Sequence, residues 1–186
     1  TLKAGTPGSP LQLTGNFVQT PTGTLQVGLA PSGQSSQLSI TGSASIAGGV
    51  AVTKALGAYL PGTRFTILTA TGGVFGAFSA PTQDLPFVDL LLAYDANDVY
   101  LDVSRNGTSF TAVAATPNDI ATAGALEALG PSNALYGAIV SQNSVAGAQQ
   151  AFNALSGEIY ASTTTVLMDD SRLIRNALLD RMQGEG

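Results

Sequence analysis

The stretch Tyr59 to Arg105, YLPGTRFTILTATGGVFGAFSAPTQDLPFVDLLLAYDANDVYLDVSR, decides the fold. It gathers Phe65, Ile67, Leu68, Val74, Phe75, Phe78, Phe87, Val88, Val99, Tyr100 and Val103, aromatic and β-branched residues that suit pleated, half-buried strands. Each apolar run is short and ends at a turn signal: Pro61-Gly62, Gly72-Gly73, Pro81, Pro86 or Asn97-Asp98. The two glycines at 72 and 73 supply positive-φ freedom between RFTILTAT and VFGAF, so one strand ends and another begins there. Alternation in Val99-Tyr100-Leu101-Asp102-Val103 puts Val99, Leu101 and Val103 on one face and Tyr100 and Asp102 on the other.

Composition agrees with a β scaffold. Only 10% of the 186 residues are charged, against roughly 25% in an average domain. Twenty-two glycines and many Ser and Thr give outer faces that are polar but uncharged. The net charge of −5, with no Lys/Arg cluster, leaves no electrostatic basis for a nucleic-acid surface or an anionic-membrane patch. Cysteine is absent, which removes disulfides, thiol catalysis and zinc–thiolate sites. No signal-peptide pattern opens the chain, no run of 18 apolar residues occurs, and Thr1 reads as a cut into a longer polypeptide.

Upstream of the deciding stretch, four alternating triplets recur: Leu11-Gln12-Leu13, Leu25-Gln26-Val27, Leu38-Ser39-Ile40 and Val50-Ala51-Val52. Each can bury its first and third residues and solvate the middle one. Near-regular spacing with turn residues between is what a stacked coil of strands needs, and the shortness of the triplets favours it over a β-sandwich.

These pieces in this order resemble the C-terminal end of the passenger of a Gram-negative type V autotransporter. The resemblance is carried by LQLTGNFVQTPTGTLQVGLAPSGQSSQLSITGSASIAGGVAVT, then PGTRFTILTATGGVFGAF and LLLAYDANDVYLDVSRN. It implies a mainly β fold over 1–105, a right-handed parallel β-helix with an autochaperone-like junction at 59–105. The junction core would comprise Phe65, Ile67, Leu68, Gly72, Gly73, Val74, Phe75, Phe78, Tyr94, Val99, Leu101 and Val103.

Residues 106–186 change in texture. Asn106-Gly107-Thr108 reads as a turn before it reads as a glycosylation sequon. Thr116-Pro117-Asn118-Asp119 opens a helix with Thr116 as cap, and Ile120, Ala123, Leu126 and Leu129 follow at helical spacing until Gly130-Pro131. A second short helix spans Asn133 to about Val140. Ser144 caps a third segment that runs on through Met182, with Gly157 its one internal break. The tail LSGEIYASTTTVLMDDSRLIRNALLDRM resembles the helix that precedes the barrel in the same family. That implies a linker helix carrying Leu155, Gly157, Ile159, Val166, Asp170, Arg172, Leu173 and Leu178. Its charges suit a water-filled lumen or an ordinary solvated face, and not lipid. The self-cleaving Asn-Asn pair of one subgroup is missing from this helix.

Catalytic candidates are few. With no histidine, neither a Ser-His-Asp triad nor an imidazole metal site can be built from these residues. Asp84, Asp89, Asp95, Asp98 and Asp102 remain as carboxylates for glycoside chemistry, and Asp95, Asp98 and Asp102 as calcium ligands, but turn formation explains Asp95 and Asp98 more simply. Ser156-Gly157-Glu158 lacks the strand–turn–helix context of a nucleophile. The expectation is a non-catalytic, cofactor-free and metal-free surface module exported through the periplasm. Its partners would be its own barrel, the upstream passenger and the barrel-assembly machinery. Alternatives are an adhesin surface for host glycans or proteins, and a carboxylate-based polysaccharide hydrolase or lyase. Buried Phe65, Phe75, Phe78 and Phe87 are expected of the junction, and a frayed or end-to-end paired Thr1–Gln12 of the opposite end.

Overall fold

The computed structural model describes residues 1–82 and 84–184, and the backbone alone for 158–161. The described strands are β1 (Leu2–Lys3), β2 (Gly5–Thr6), β3 (Ser9–Leu13), β4 (Phe17–Val18), β5 (Thr24–Leu29), β6 (Leu38–Ile40), β7 (Ala44–Ile46), β8 (Gly49–Lys54), β9 (Arg64–Ala70), β10 (Val74–Gly76), β11 (Val88–Tyr94) and β12 (Asp98–Arg105). A 3₁₀ turn (Phe110–Val113) leads into four helices, α1 (Pro117–Ala128), α2 (Ala134–Val140), α3 (Val145–Ser156) and α4 (Glu158–Gln183). The strands form three mostly parallel sheets: β1-β5-β8, β4-β7-β10, and the six-stranded β11-β12-β9-β6-β3-β2.

From β3 to β10 the chain visits the sheets in fixed rotation, and from β6 each of these strands pairs in parallel with the one laid down a circuit earlier. Leu11 faces Leu38 and Leu38 faces Leu68; Leu25 faces Val50; Phe17 faces Ala44 and Ala44 faces Val74. The alternating triplets therefore stack two apart, with a short third strand between them. Inward-facing Leu25, Val27, Leu38, Ile40, Ala44, Ile67, Leu68 and Ala70 are almost wholly removed from water, a continuous apolar column through the layers.

One corner of every circuit is built the same way. Leu11-Gln12-Leu13-Thr14-Gly15-Asn16, Leu38-Ser39-Ile40-Thr41-Gly42-Ser43 and Leu68-Thr69-Ala70-Thr71-Gly72-Gly73 are three copies of one unit. Gly42 N–H donates to Gly15 O (3.0 Å) and Gly72 N–H donates to Gly42 O (2.9 Å). Thr41 Oγ1 accepts from Gly15 N–H (3.0 Å), and Thr71 Oγ1 donates to Thr41 O. A Cβ on Gly42 would stand 2.5 Å from Gly15 O, and one on Gly72 would stand 2.7 Å from the Gly42 carbonyl carbon. The layers approach too closely at this corner for any side chain.

Three expectations are corrected. The last two strands are antiparallel: β12 runs against β9, and β11 against β12 with Tyr94 opposite Val99. The tight Asp95-Ala96-Asn97 connection explains the β11–β12 pairing, since a parallel return needs a crossover of a dozen or more residues. Of the two outcomes expected for Thr1–Gln12, fraying is not what is found: these residues are laid down as strands, with Leu2 on Leu25, Gly5 on Pro10 and Leu11 on Leu38. Gly157, at φ 76, ends α3 in the left-handed conformation, so the long third segment is two helices.

The helix starts follow the capping chemistry. Thr116 Oγ1 accepts from Asp119 N–H (3.1 Å) while Asp119 Oδ2 accepts from Thr116 N–H (3.2 Å), a reciprocal box. Asn133 accepts from Leu135 N–H and Ser144 from Gly147 N–H. On α1 the buried face is Ala123 and Leu126, while Ile120 and Leu129 are exposed.

Replacing Gly42 or Gly72 with Ala should lower stability by about 1–3 kcal/mol, because the new methyl meets backbone of the adjacent layer. Gly49→Ala, where a Cβ meets open space, should stay within roughly 0.5 kcal/mol. Urea unfolding of the three variants reads the contrast.

Candidate functional site

The outward face of the β9–β12 pair carries the densest polar network. Arg64 and Asp102 are register partners, and the guanidinium grips the carboxylate through Nε and Nη2, both at 2.7 Å. The same guanidinium lies 4.6 Å over the Tyr100 ring. Tyr100 O–H donates to Asp95 Oδ2 (2.7 Å) and approaches Asp98 Oδ2 (3.3 Å). Asp98 also accepts from Thr69 Oγ1, which in turn accepts from Gln37 Nε2 (2.7 Å), so the network reaches the preceding layer.

Asp95 is the turn-former. Its Oδ1 accepts from Asn97 N–H (2.9 Å) and Asp98 N–H (2.7 Å). The Tyr100 hydroxyl first, then these two amides, hold the Asp95 carboxyl below its ordinary range. The bond to Asp95, helped by burial and by Asp98, pushes the Tyr100 hydroxyl up to about 12. Asp84 is taken by Lys54, and Asp89 faces the Asn106 amide (3.5 Å). Each of the five candidate carboxylates thus already serves an internal partner. Among the described residues no group of three His, Cys, Asp or Glu is placed to hold a metal ion.

The inward face of the same stretch is apolar. Phe65, Ile67, Leu68, Phe78, Val99, Leu101 and Val103 are buried, Val74 is half-buried, and Gly73 turns the chain at φ 95. Two expected core residues are not inside. Phe75 is 60% exposed because it alternates with Val74: Val74 faces buried Ala44, so Phe75 falls outward beside Ser45. Tyr94 is 39% exposed at the tip of β11, with its hydroxyl accepting from Phe78 N–H (3.0 Å), which pins the following loop.

Two features escaped the sequence reading. Tyr59 is fully buried, and its hydroxyl donates toward the main-chain oxygens of Leu29 (3.0 Å) and Ala55 (2.9 Å). Burial raises its pKa above the usual 10.0. The second is an aromatic nest that joins strands to helices. Phe87 and Phe110 meet edge-on at 4.9 Å, and Phe110 also faces Tyr136 (5.0 Å) and Phe152 (6.5 Å). Arg105 lies 5.4 Å over both Phe87 and Phe110, donates to Phe87 O and Thr108 O, and approaches Glu127 at 3.8 Å. Glu127 in turn accepts from Phe110 N–H (3.1 Å). Residues 110–156 thus share the core of the strands.

On α4 the linker residues Val166, Asp170, Arg172, Leu173 and Leu178 are all exposed, as is every residue from 162 to 184. Leu155 on α3 is also exposed, and the Ile159 side chain lies outside the described residues. Arg172 pairs with Asp169 at 3.5 Å on the helix surface, an i,i+3 contact worth a few tenths of a kcal/mol. No described helix is long and apolar enough to cross a membrane.

No family model matches the chain. Two Serratia marcescens proteins, each described as an extracellular serine protease, are similar to it. One is 28% identical over 169 residues, covering 68% of this chain and 16% of the relative. The other is 28% identical over 165 residues, covering 67% and 16%. The chain therefore spans about 16% of the length of these relatives.

Two titrations test the hairpin network. Because the Tyr100 hydroxyl is raised in the fold, the unfolded chain loses that proton first, so stability falls as pH rises from about 10 through about 12. Asp95 acts with the opposite sign, contributing above the ordinary carboxylate pKa and losing its contribution as pH falls below it. Urea melts across pH should show both limbs, with the alkaline limb shallower in Tyr100→Phe. Tyr59→Phe removes the one hydroxyl donor shared by the Leu29 and Ala55 carbonyls, of which Leu29 O keeps the Ala55 N–H, and should cost about 0.5–1.5 kcal/mol at neutral pH.

Proposed function

We propose that this chain is the membrane-proximal end of a type V autotransporter passenger, a non-catalytic module that supports secretion-coupled folding and displays an upstream effector at the cell surface. On this reading the three parallel ladders are the faces of a right-handed β-helix, the β11–β12 hairpin with the 59–105 core is the autochaperone-like junction, and α4 leads toward an outer-membrane β-barrel. The observation that carries it is the stack Leu11, Leu38, Leu68 with its threefold Thr-Gly corner, closed by a bulkier, hairpin-reinforced last layer. Large buried side chains at about 25 cal/mol per Å² make that layer the first able to stand alone and offer an edge to the others.

Three further facts support the reading. The relatives are extracellular by description, and the matched part is a small share of them, which leaves room for a protease elsewhere in such proteins. This chain lacks histidine, so a Ser-His-Asp site has no general base here. The exposed α4, with Asp169, Asp170, Arg172, Arg175, Asp180 and Arg181 among its apolar residues, suits a water-filled lumen better than lipid. Partners would be that barrel, the upstream passenger and the barrel-assembly machinery.

The exposed Phe75 ring on an outward face favours one second reading, an adhesin surface that stacks against host glycans. Glycan-array binding that is lost in Phe75→Ala would support it.

To test the leading proposal, the chain is placed between a reporter protein and an outer-membrane β-barrel. With residues 59–105 intact, the reporter should reach the surface protease-resistant; with Phe65→Ala and Phe87→Ala combined, it should be exported but protease-sensitive. Equal resistance in both would overturn the folding role. Hydrogen exchange on the isolated chain adds a second reading, with amides in 64–103 expected to exchange more slowly than those in 11–52.

A further inference from the structure

The connection between the last strand and the helices holds a reactive arrangement of its own at Asn106-Gly107, the single Asn-Gly pair in the sequence. The Asn106 side-chain oxygen accepts two hydrogen bonds, from Arg105 Nη1 (3.1 Å) and from Thr108 N–H (3.0 Å). One donor is a fixed cation and the other a main-chain amide, and both withdraw electrons from the amide carbon Cγ. Together they form the donor pair that stabilises negative charge on a carbonyl oxygen under attack.

The attacking group would be the nitrogen of the next peptide. The bond from Thr108 N–H to Asn106 Oδ1 closes a turn that wraps the side chain around the intervening peptide, whose nitrogen belongs to Gly107. Gly107 is exposed, sits at φ 74 and would have open space around a Cβ. Among the described residues its N–H makes no hydrogen bond, so no partner must be surrendered for it to react. The leaving amide nitrogen lies against Pro86 O (3.3 Å) and Asp89 Oδ1 (3.5 Å).

We propose that Asn106-Gly107 is a self-modification site at which the folded chain accelerates its own deamidation. Gly107 N adds to Asn106 Cγ and gives its proton to solvent. Nδ2 takes up a proton from solvent, the Cγ–Nδ2 bond breaks, ammonia leaves, and a five-membered succinimide remains. Water then opens the ring at either carbonyl to yield aspartate or isoaspartate. The net change is amide plus water to carboxylic acid plus ammonia, with no redox step and the polypeptide unbroken. Folding ordinarily slows this reaction by holding the groups apart; here the Arg105 and Thr108 donors and the free Gly107 nitrogen reverse that effect. The product places a carboxylate against Arg105 and Asp89, and isoaspartate lengthens the main chain by one carbon where strands pass into helices.

The test follows the native 186-residue chain at mildly alkaline pH by peptide mass mapping, with the same chain in urea as its unfolded reference. The expected result is conversion of Asn106 ahead of Asn16, Asn97 and the other asparagines, roughly tenfold faster folded than unfolded. Arg105→Gln, checked for folding by circular dichroism, should bring the folded rate down to the unfolded one. A folded rate equal to or below the rate in urea would overturn the proposal without recourse to any variant. So would a folded Arg105→Gln chain that keeps the full rate.

Discussion

A strand that is to pair in parallel with its predecessor cannot be reached by a tight turn; the chain must travel round and come back pointing the same way. That constraint governs β3 to β10. The circuit is completed through three short strands and their corners, and the return brings like positions over like positions, Leu68 on Leu38 on Leu11. Everything else follows from keeping the layers in contact. Inward positions must be apolar, because they have neighbours above and below. Corners must be bare, because main chain there lies within hydrogen-bonding distance of main chain in the next layer, as Gly15, Gly42 and Gly72 do. Low charge is the compositional trace of the same rule, since a stack of closely spaced layers would bring like charges together on its outer faces.

The stack is finished by a change of strand direction and a change of texture. Once β12 turns back against β9, the pairing no longer needs a circuit, and a three-residue connection suffices for β11. The side chains grow larger in the same place. Phe65, Phe87 and Phe110 give this end a core of rings, and Arg105 ties the last strand to the helices by lying over two of them and holding the carbonyls on either side. Outer and inner faces of β12 thus do different work: Tyr100 and Asp102 link neighbouring strands through polar contacts, while Val99, Leu101 and Val103 fill the interior.

Much of this was legible in the residues, and the failures have physical reasons. Alternation placed Val99, Leu101 and Val103 inside, and the Thr116–Asp119 capping box and the Ser144 cap fixed two helix starts. The triplets recur at half the true repeat, because each circuit holds two of them, and Phe17-Val18 and Ala44-Ser45-Ile46 are too short to announce themselves as strands. The sharper signal was the Thr-Gly pair at 14–15, 41–42 and 71–72, which marks one corner of every circuit. Phe75, expected inside with the rest of the junction core, falls outward because its neighbour Val74 holds the inward position. The aromatic nest was invisible for another reason: Phe87, Phe110, Tyr136 and Phe152 are far apart in sequence and obey no common period, so only the fold brings them together.

Gly157 has a mechanical consequence. It is the single residue between α3, whose Phe152 is locked in the core, and the 26-residue α4, whose side chains from 162 onward face water. A helix of that length is roughly 40 Å long, so a ten-degree change in the glycine's dihedrals swings its far end by about 7 Å. With every described side chain from 162 onward facing water, the angle at which α4 leaves is set at Gly157. With open space where a Cβ would stand, Gly157 works as a swivel at the base of a lever.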